Sequence, residues 1–180
     1  MLDKQNIREA AEYLLNINEQ TTPPINVSKI ANGLGIEVLE TPMLQDGMQD
    51  VSGFIAKKED GKIYIYVNEN EHINRQRFTI AHELAHYYLH FKDNLADKKG
   101  VLDFVKYRNG ATYDEKETKE EQEANAFAAE LLVPCTALKE LWDNGNTDIT
   151  FLANHFVVSK DMMINRLKNC ISDLNRTTRW

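Results

Sequence analysis

Residues 77–90 read Arg77-Phe-Thr-Ile-Ala-His-Glu-Leu-Ala-His-Tyr-Tyr-Leu-His90, and this stretch decides how the rest of the chain is interpreted. His82 and His86 are four residues apart, so both imidazoles lie on one face of a helix, about 6 Å apart along its axis. Two imidazoles at this spacing, in the pattern HExxH, can bind one metal ion. Glu83 projects about 100° around the helix from His82 and can stand beside the metal as a general base.

An ordinary helix with two exposed histidines is the alternative interpretation, and the flanking residues argue against it. Ala81, Leu84, Ala85 and Leu89 continue a helical pattern that extends over about 73–91 and predicts a largely buried helix. Buried polar and charged groups need partners, and a shared metal ion would supply one. The sequence therefore predicts a metal site on this helix.

A catalytic zinc ion takes three protein ligands and keeps one position open. His90 is a poor third ligand, because eight residues of helix separate it from His82 by about 12 Å. The other candidates are acids at positions 120, 121, 123 and 130, in a second helix predicted over 114–133. Of these four, Glu121 is in phase with the apolar stripe of that helix, whereas Glu120 lies about 100° off it.

The helical phase gives the remaining residues of this second helix their expected roles. Glu121 is the predicted third ligand, and Asn125, one turn further on, can orient a ligand through a hydrogen bond. Glu123 points roughly 160° away from Glu121, on a side shared with Glu130 that we expect to face solvent. The alternative for Glu121 is a solvated acidic turn, which the helix dipole favours at an N-terminus.

Periodicity elsewhere predicts an α+β fold in which a small antiparallel sheet of about three strands packs on helices. The hairpin is predicted from an Asp-Gly turn between two β-rich runs. The predicted elements are helices over 7–15 and 27–34, strands over 36–41, 51–56 and 62–68, and short helices over 137–142, 149–156 and 160–171. A polar loop over 42–50 and a long connection over 92–113 separate some of these elements.

Composition and charge narrow the classes of function. Twenty-one Lys and Arg against 28 Asp and Glu give a net charge of -7, which opposes non-specific binding to nucleic acid. No apolar run approaches the roughly 18 residues that cross a bilayer, and the start of the chain lacks an apolar signal segment, so we expect a cytoplasmic protein with no membrane partner. Cys135 and Cys170 are too few for a disulfide framework and are expected to be reduced thiols.

The stretch from Arg77 to His90, followed by Glu121-Gln-Glu-Ala-Asn-Ala-Phe-Ala-Ala-Glu-Leu-Leu-Val-Pro134, resembles the ImmA/IrrE family of zinc metallopeptidases over about residues 25–170. The resemblance implies a zincin-like, gluzincin-type core in which His82, His86 and Glu121 bind Zn²⁺ and Glu83 is the base. It also implies cleavage of a regulatory protein, commonly a helix-turn-helix repressor of a phage or mobile element. Members usually have Gly where this chain has Ala85, which is still small enough for close helix packing.

The C-terminal part supports a second hypothesis. We expect residues 1–134 to form the metallopeptidase core and residues 135–180 to form a helical segment packed on it. Residues 151–167 have the pattern of a helix-turn-helix, with Ser159 as the predicted N-cap of the second helix. The alternative function is therefore a DNA-binding or partner-binding regulator, including a toxin-antitoxin component, whose zinc site is structural or vestigial.

Overall fold

The computed structural model describes residues 3–43, 51–92 and 115–177. The elements in chain order are α1 (Lys4–Ile17), α2 (Val27–Gly33), β1 (Ile36–Thr41), β2 (Gly53–Lys57), β3 (Ile63–Asn68), α3 (Ile73–His86), α4 (Glu115–Leu132), α5 (Cys135–Asp143), α6 (Ile149–Phe156) and α7 (Lys160–Thr177). The predicted α+β class is confirmed. Most of the predicted loop over 42–50 and of the connection over 92–113 lies outside the described residues. None of the helices in the described ranges has the length and apolar character to span a bilayer.

The three strands form a mixed sheet in the order β1-β3-β2. β2 and β3 are an antiparallel hairpin, with Ile55 opposite Ile65, as predicted. β1 runs parallel to β3, with Ile36 opposite Ile63, so the prediction of an antiparallel sheet is wrong for this pair. The direction of β1 depends on how the chain crosses from β1 to β2, and alternation within a strand contains no information about that crossing.

The helix predicted over 73–91 is confirmed, but its last turn is wider than an α-helix. α3 ends at His86, and Tyr87–Phe91 form a π-helical turn in which the Lys92 amide donates to the Tyr87 carbonyl at 2.9 Å. Such turns are rare and occur often at functional sites. Here the turn begins directly after the second histidine of the HExxH pattern.

The sheet lies close against α3. Val67 and Ile65 of β3 are fully buried, as the alternation predicted for the core-facing side. Gly53 at the start of β2 has room for no side chain, because a Cβ there would come within 3.0 Å of the Tyr66 carbonyl oxygen and of Thr79 Cγ2. Glycine at this position therefore lets β2 approach the helix that carries the HExxH pattern.

Two cysteines join the helices of the C-terminal part. Cys135, the first residue of α5, and Cys170 of α7 form a disulfide, with their Cα atoms 5.6 Å apart. The prediction of two reduced thiols is therefore wrong. The two residues are 35 positions apart, and only the packing of α5 on α7 reveals that their side chains meet.

Candidate metal centre

Three side chains from two helices converge on one point. His82 and His86 of α3 lie one turn apart, and their Nε2 atoms are 3.0 Å from each other. Glu121 of α4 brings one carboxylate oxygen to 2.9 Å from His86 Nε2 and the other to 3.4 Å from His82 Nε2. Within the described residues, this is the group of His, Cys, Asp and Glu side chains whose ligand atoms are close enough to share a metal ion.

The separations among the two imidazole nitrogens and the carboxylate oxygen nearest each of them fit a tetrahedral ion. Ligands about 2.0–2.1 Å from a zinc ion stand about 3.3 Å from one another at the corners of a tetrahedron. The observed separations, 2.9 to 3.4 Å, bracket that value. Two imidazole nitrogens and one carboxylate are also the donor types of catalytic zinc sites, which keep a fourth position for solvent or substrate.

Asn125 is within hydrogen-bond distance of the first histidine. His82 Nδ1 lies 3.1 Å from Asn125 Oδ1, and because this oxygen can only accept, Nδ1 is assigned as the protonated nitrogen. The lone pair of His82 is then on Nε2, which faces His86 and Glu121. Asn125 follows Glu121 by one turn of α4, so the same helix provides both the carboxylate and the group that orients His82.

Small residues allow α3 and α4 to approach closely enough for this geometry. Ala81 and Ala85 on α3 are fully buried, as are Ala124 and Ala128 on α4. Ala85 occupies the position at which the ImmA/IrrE family usually has glycine. Its methyl group does not prevent the three candidate ligands from coming together. Because these positions lie one helical turn apart on each helix, their small side chains let the two backbones draw together.

Glu83 is buried beside the cluster. It follows His82 directly, so its side chain leaves α3 about 100° around the axis from that ligand. The residue is only 5% exposed, in a helix whose neighbouring positions are also buried. A carboxylate kept out of water next to a candidate metal site has the surroundings of a general base.

Two acids of α4 differ from expectation. Glu123 and Glu130 were expected to face solvent, but both are buried, at 7% and 3% exposure. Glu123 Oε2 lies 3.9 Å from His90 Nε2, in the π-helical turn, whereas Glu130 is paired with arginines. Helical phase gave their direction relative to Glu121, but not the presence of packing partners on that side of α4.

His90 is not part of the ligand cluster. Its imidazole ring centroid is 5.6 Å from that of His86, and its Nε2 faces Glu123. Tyr88 packs its ring on Phe127, with the centroids 6.0 Å apart. These side chains have packing partners of their own, and none of them is assigned as an oxyanion donor.

Arg77 forms two long-range hydrogen bonds that no local pattern predicts. Its Nε donates to the Val157 carbonyl at 3.2 Å and its Nη2 to the Phe156 carbonyl at 3.5 Å. These contacts attach α3 to the turn between α6 and α7, where Val157 has a positive φ of 53°. Burial lowers the pKa of the Arg77 guanidinium from its ordinary value. No local signal in the sequence links residues 77 and 157.

Comparison with solved structures supports the fold. A solved structure of a Mycobacterium tuberculosis transcriptional regulator has the same fold, with a TM-score of 0.64 over 90% of this chain at 20% sequence identity. Because the sequence identity is only 20%, the likeness concerns the fold alone. The chain spans 46% of that protein's length. No curated protein matches the chain.

The strongest finding is a peptidase family model, described as the IrrE N-terminal-like domain, which matches residues 31–168. The matched range contains both α3 and α4, and with them the two histidines and Glu121. The match covers well over half of the chain. The chain therefore belongs to the metallopeptidase family that the IrrE N-terminal-like domain defines.

Proposed function

We propose that this protein is a zinc-dependent endopeptidase that cleaves a peptide bond in a regulatory protein. The observation that carries the proposal is the convergence of His82 Nε2, His86 Nε2 and the Glu121 carboxylate within 2.9 to 3.4 Å of one another. The buried Glu83 beside them supplies the one further group that hydrolysis requires. Membership of a metallopeptidase family supports the same conclusion.

Five residues have distinct roles in the proposed hydrolysis. His82, His86 and Glu121 would hold Zn²⁺, which supplies Lewis acidity for peptide hydrolysis when bound. Glu83 takes the proton of the attacking water and returns it to the leaving amine. Asn125 keeps His82 in the tautomer that presents Nε2 as a ligand. Burial of Glu83 and of both histidines keeps bulk water away from these groups.

The peptide substrate would lie extended along β2. In the sheet order β1-β3-β2, this strand has β3 on one side and no other strand on its outer side within the described residues. An open edge offers main-chain hydrogen bonds to a peptide of any sequence. β2 also packs against α3 at Gly53 and Thr79, so a peptide added to this edge runs beside the helix that carries Glu83.

The target that we propose is a helix-turn-helix repressor of the phage or mobile-element type, in the cytoplasm. This part of the proposal rests on the resemblance to the ImmA/IrrE family. The test is to co-express the protein with a helix-turn-helix repressor, chosen from the neighbouring reading frame if that frame encodes one, and to look for repressor fragments. Wild type is expected to yield fragments, whereas Glu83→Gln is expected to fold, bind zinc and yield none.

The rival function is a DNA-binding or partner-binding regulator, and the same proteins distinguish it. Ser159 Oγ accepts from the Met162 amide at 3.1 Å, so the N-cap predicted for the second helix of the C-terminal pair is present. A DNA-binding regulator is expected to show salt-dependent DNA binding that Glu83→Gln does not change. A protein that only holds its partner is expected to form a stable complex with an intact repressor.

A further inference from the structure

A cavity of about 690 Å³ lies between the start of α3 and the start of α7. Its walls include Glu71, Arg75 and Phe78 on one side and Ser159, Asp161 and Met162 on the other. One of its lining residues, Phe78, also lies near the candidate metal centre, since its ring centroid is 6.0 Å from that of His82. The volume is within the range of ordinary ligand pockets, so the cavity is large enough for a long side chain of a substrate.

Hydrogen bonds from one buried and one half-buried side chain hold both walls in place. Gln76 Nε2 donates to the carbonyls of Glu69 and Glu71, at 3.1 and 2.9 Å, and so fixes the segment before α3. Arg77 donates to the carbonyls of Phe156 and Val157 and so fixes the turn before α7. The cavity is therefore preformed, which reduces the entropy that binding would cost.

One carboxylate on the walls of the cavity has no ion-pair partner within the described residues, whereas the other faces an arginine. Glu71 Oε2 lies 3.7 Å from Nε of Arg75, and that Nε also donates to Ser52 Oγ at 3.2 Å. Asp161, in the first turn of α7, forms no hydrogen bond or ion pair with its side chain within the described residues, so its carboxylate can bind a cation that enters the cavity. Phe78 and Met162 add an apolar surface that suits the methylene stem of a long side chain.

We propose that this cavity is a side-chain subsite of the peptidase, that it accepts a lysine or arginine close to the cleaved bond, and that Asp161 determines this specificity. The inference rests on the proposed function, since a subsite needs a peptide substrate. An apolar stem would lie against Phe78 and Met162, while the cationic end would pair with Asp161. Phe78 lies one helical turn before His82, so a side chain in contact with Phe78 would belong to a residue near the scissile bond.

Cleavage of a mixed peptide library tests the subsite. Fragments produced by the zinc-loaded wild type are expected to be enriched in Lys or Arg at one position near the cleaved bond. Asp161→Asn is expected to raise KM about tenfold for those peptides, but not for matched peptides with norleucine, and Asp161→Glu is expected to restore it. Glu140→Gln, an exposed acid on α5 outside the cavity, is the matched control.

A binding experiment separates failure of the subsite from failure of the peptidase function. NMR titration of Glu83→Gln with Nα-acetyl-arginine methylamide is expected to shift the signals of Phe78, Asp161 and Met162. The norleucine analogue, which lacks the cation, is expected to bind more weakly and to leave the Asp161 signal unchanged. Absence of cleavage together with these shifts would refute the peptidase function but still support a pocket that binds cations. A preference for apolar or acidic side chains, or shifts that persist in Glu83→Gln/Asp161→Asn, would overturn the subsite itself.

Discussion

His82 Nδ1 and Asn125 Oδ1 lie 3.1 Å apart, which makes an amide of α4 the group that fixes the tautomer of a candidate ligand on α3. The Glu121 carboxylate, one turn earlier on α4, faces the other nitrogen of the same ring. Packing of a single helix against α3 thus brings both a candidate ligand and a hydrogen-bonding amide to His82. The strength of the metal site should therefore depend on Asn125 as well as on the three ligands.

Replacing Asn125 with alanine is expected to weaken zinc binding by about 10- to 100-fold, the usual effect of losing a hydrogen bond to a metal-binding histidine. The cause is the freedom of His82 to adopt the other tautomer. Competition with a chromophoric chelator measures the affinity. Asn125→Asp keeps an acceptor oxygen and should bind zinc nearly as well as wild type. Equal affinities for wild type and Asn125→Ala would show that the hydrogen bond does not orient the ligand.

Glu121→Gln is expected to lose most of its zinc, because the carboxylate that approaches His86 Nε2 to 2.9 Å is removed. Glu123→Gln, two residues further on, should retain the metal, since Glu123 faces His90 and lies outside the ligand cluster. Metal analysis of both purified proteins measures the stoichiometry. Loss of zinc only in Glu123→Gln would mean that the wrong acid of α4 has been taken as the ligand.

Gly53→Ala is expected to lower the free energy of unfolding by about 1–3 kcal/mol, because the new methyl group overlaps the Tyr66 carbonyl and Thr79. Gly61→Ala is the control for backbone strain alone, since Gly61 has a φ of +85° but open space around it. That change should cost about 1 kcal/mol. Urea unfolding compares the two variants. A smaller loss for Gly53→Ala than for Gly61→Ala would refute the tight contact between β2 and α3.

Local pattern was sufficient to predict most of the elements and the three convergent side chains. The positions of His82, His86 and Glu121 follow from helical phase, because each helix presents its residues at fixed angles. Strand alternation likewise identified the β2–β3 hairpin. Helical phase and strand alternation depend on residues a few positions apart, which a sequence displays directly. The meeting of α3 with α4 was expected for another reason, the need of a catalytic zinc ion for a third protein ligand.

Features that depend on distant partners could not be predicted in this way. The parallel pairing of β1 with β3 and the Cys135–Cys170 disulfide arise from how the chain folds back on itself. The burial of Glu130 was also not predicted, and the reason for it bears on the stability of the fold. Its phase on α4 was read correctly, but the arginines that allow it to be buried come from α1 and α7.

The buried carboxylate of Glu130 leads to the last prediction. It accepts a hydrogen bond from the Cys135 amide at 3.0 Å, lies 3.5 Å from Arg8 Nε and forms an ion pair with Arg166. Arg166 is itself buried and also donates to the Val133 carbonyl at 2.7 Å. Glu130→Ala removes the anion from this network and is expected to lower the free energy of unfolding by about 3–5 kcal/mol, because a buried cation loses its partner.

Asp143→Ala is the matched control, since it breaks the exposed ion pair with Lys139 on α5 and should cost less than about 1 kcal/mol. Urea unfolding of both variants, followed by metal analysis of the folded fraction, gives the two readouts. Folded Glu130→Ala should still bind zinc, because Glu130 lies nine residues beyond Glu121 and outside the ligand cluster. If its stability matched that of Asp143→Ala, the Glu130 network would contribute no more than a surface pair does.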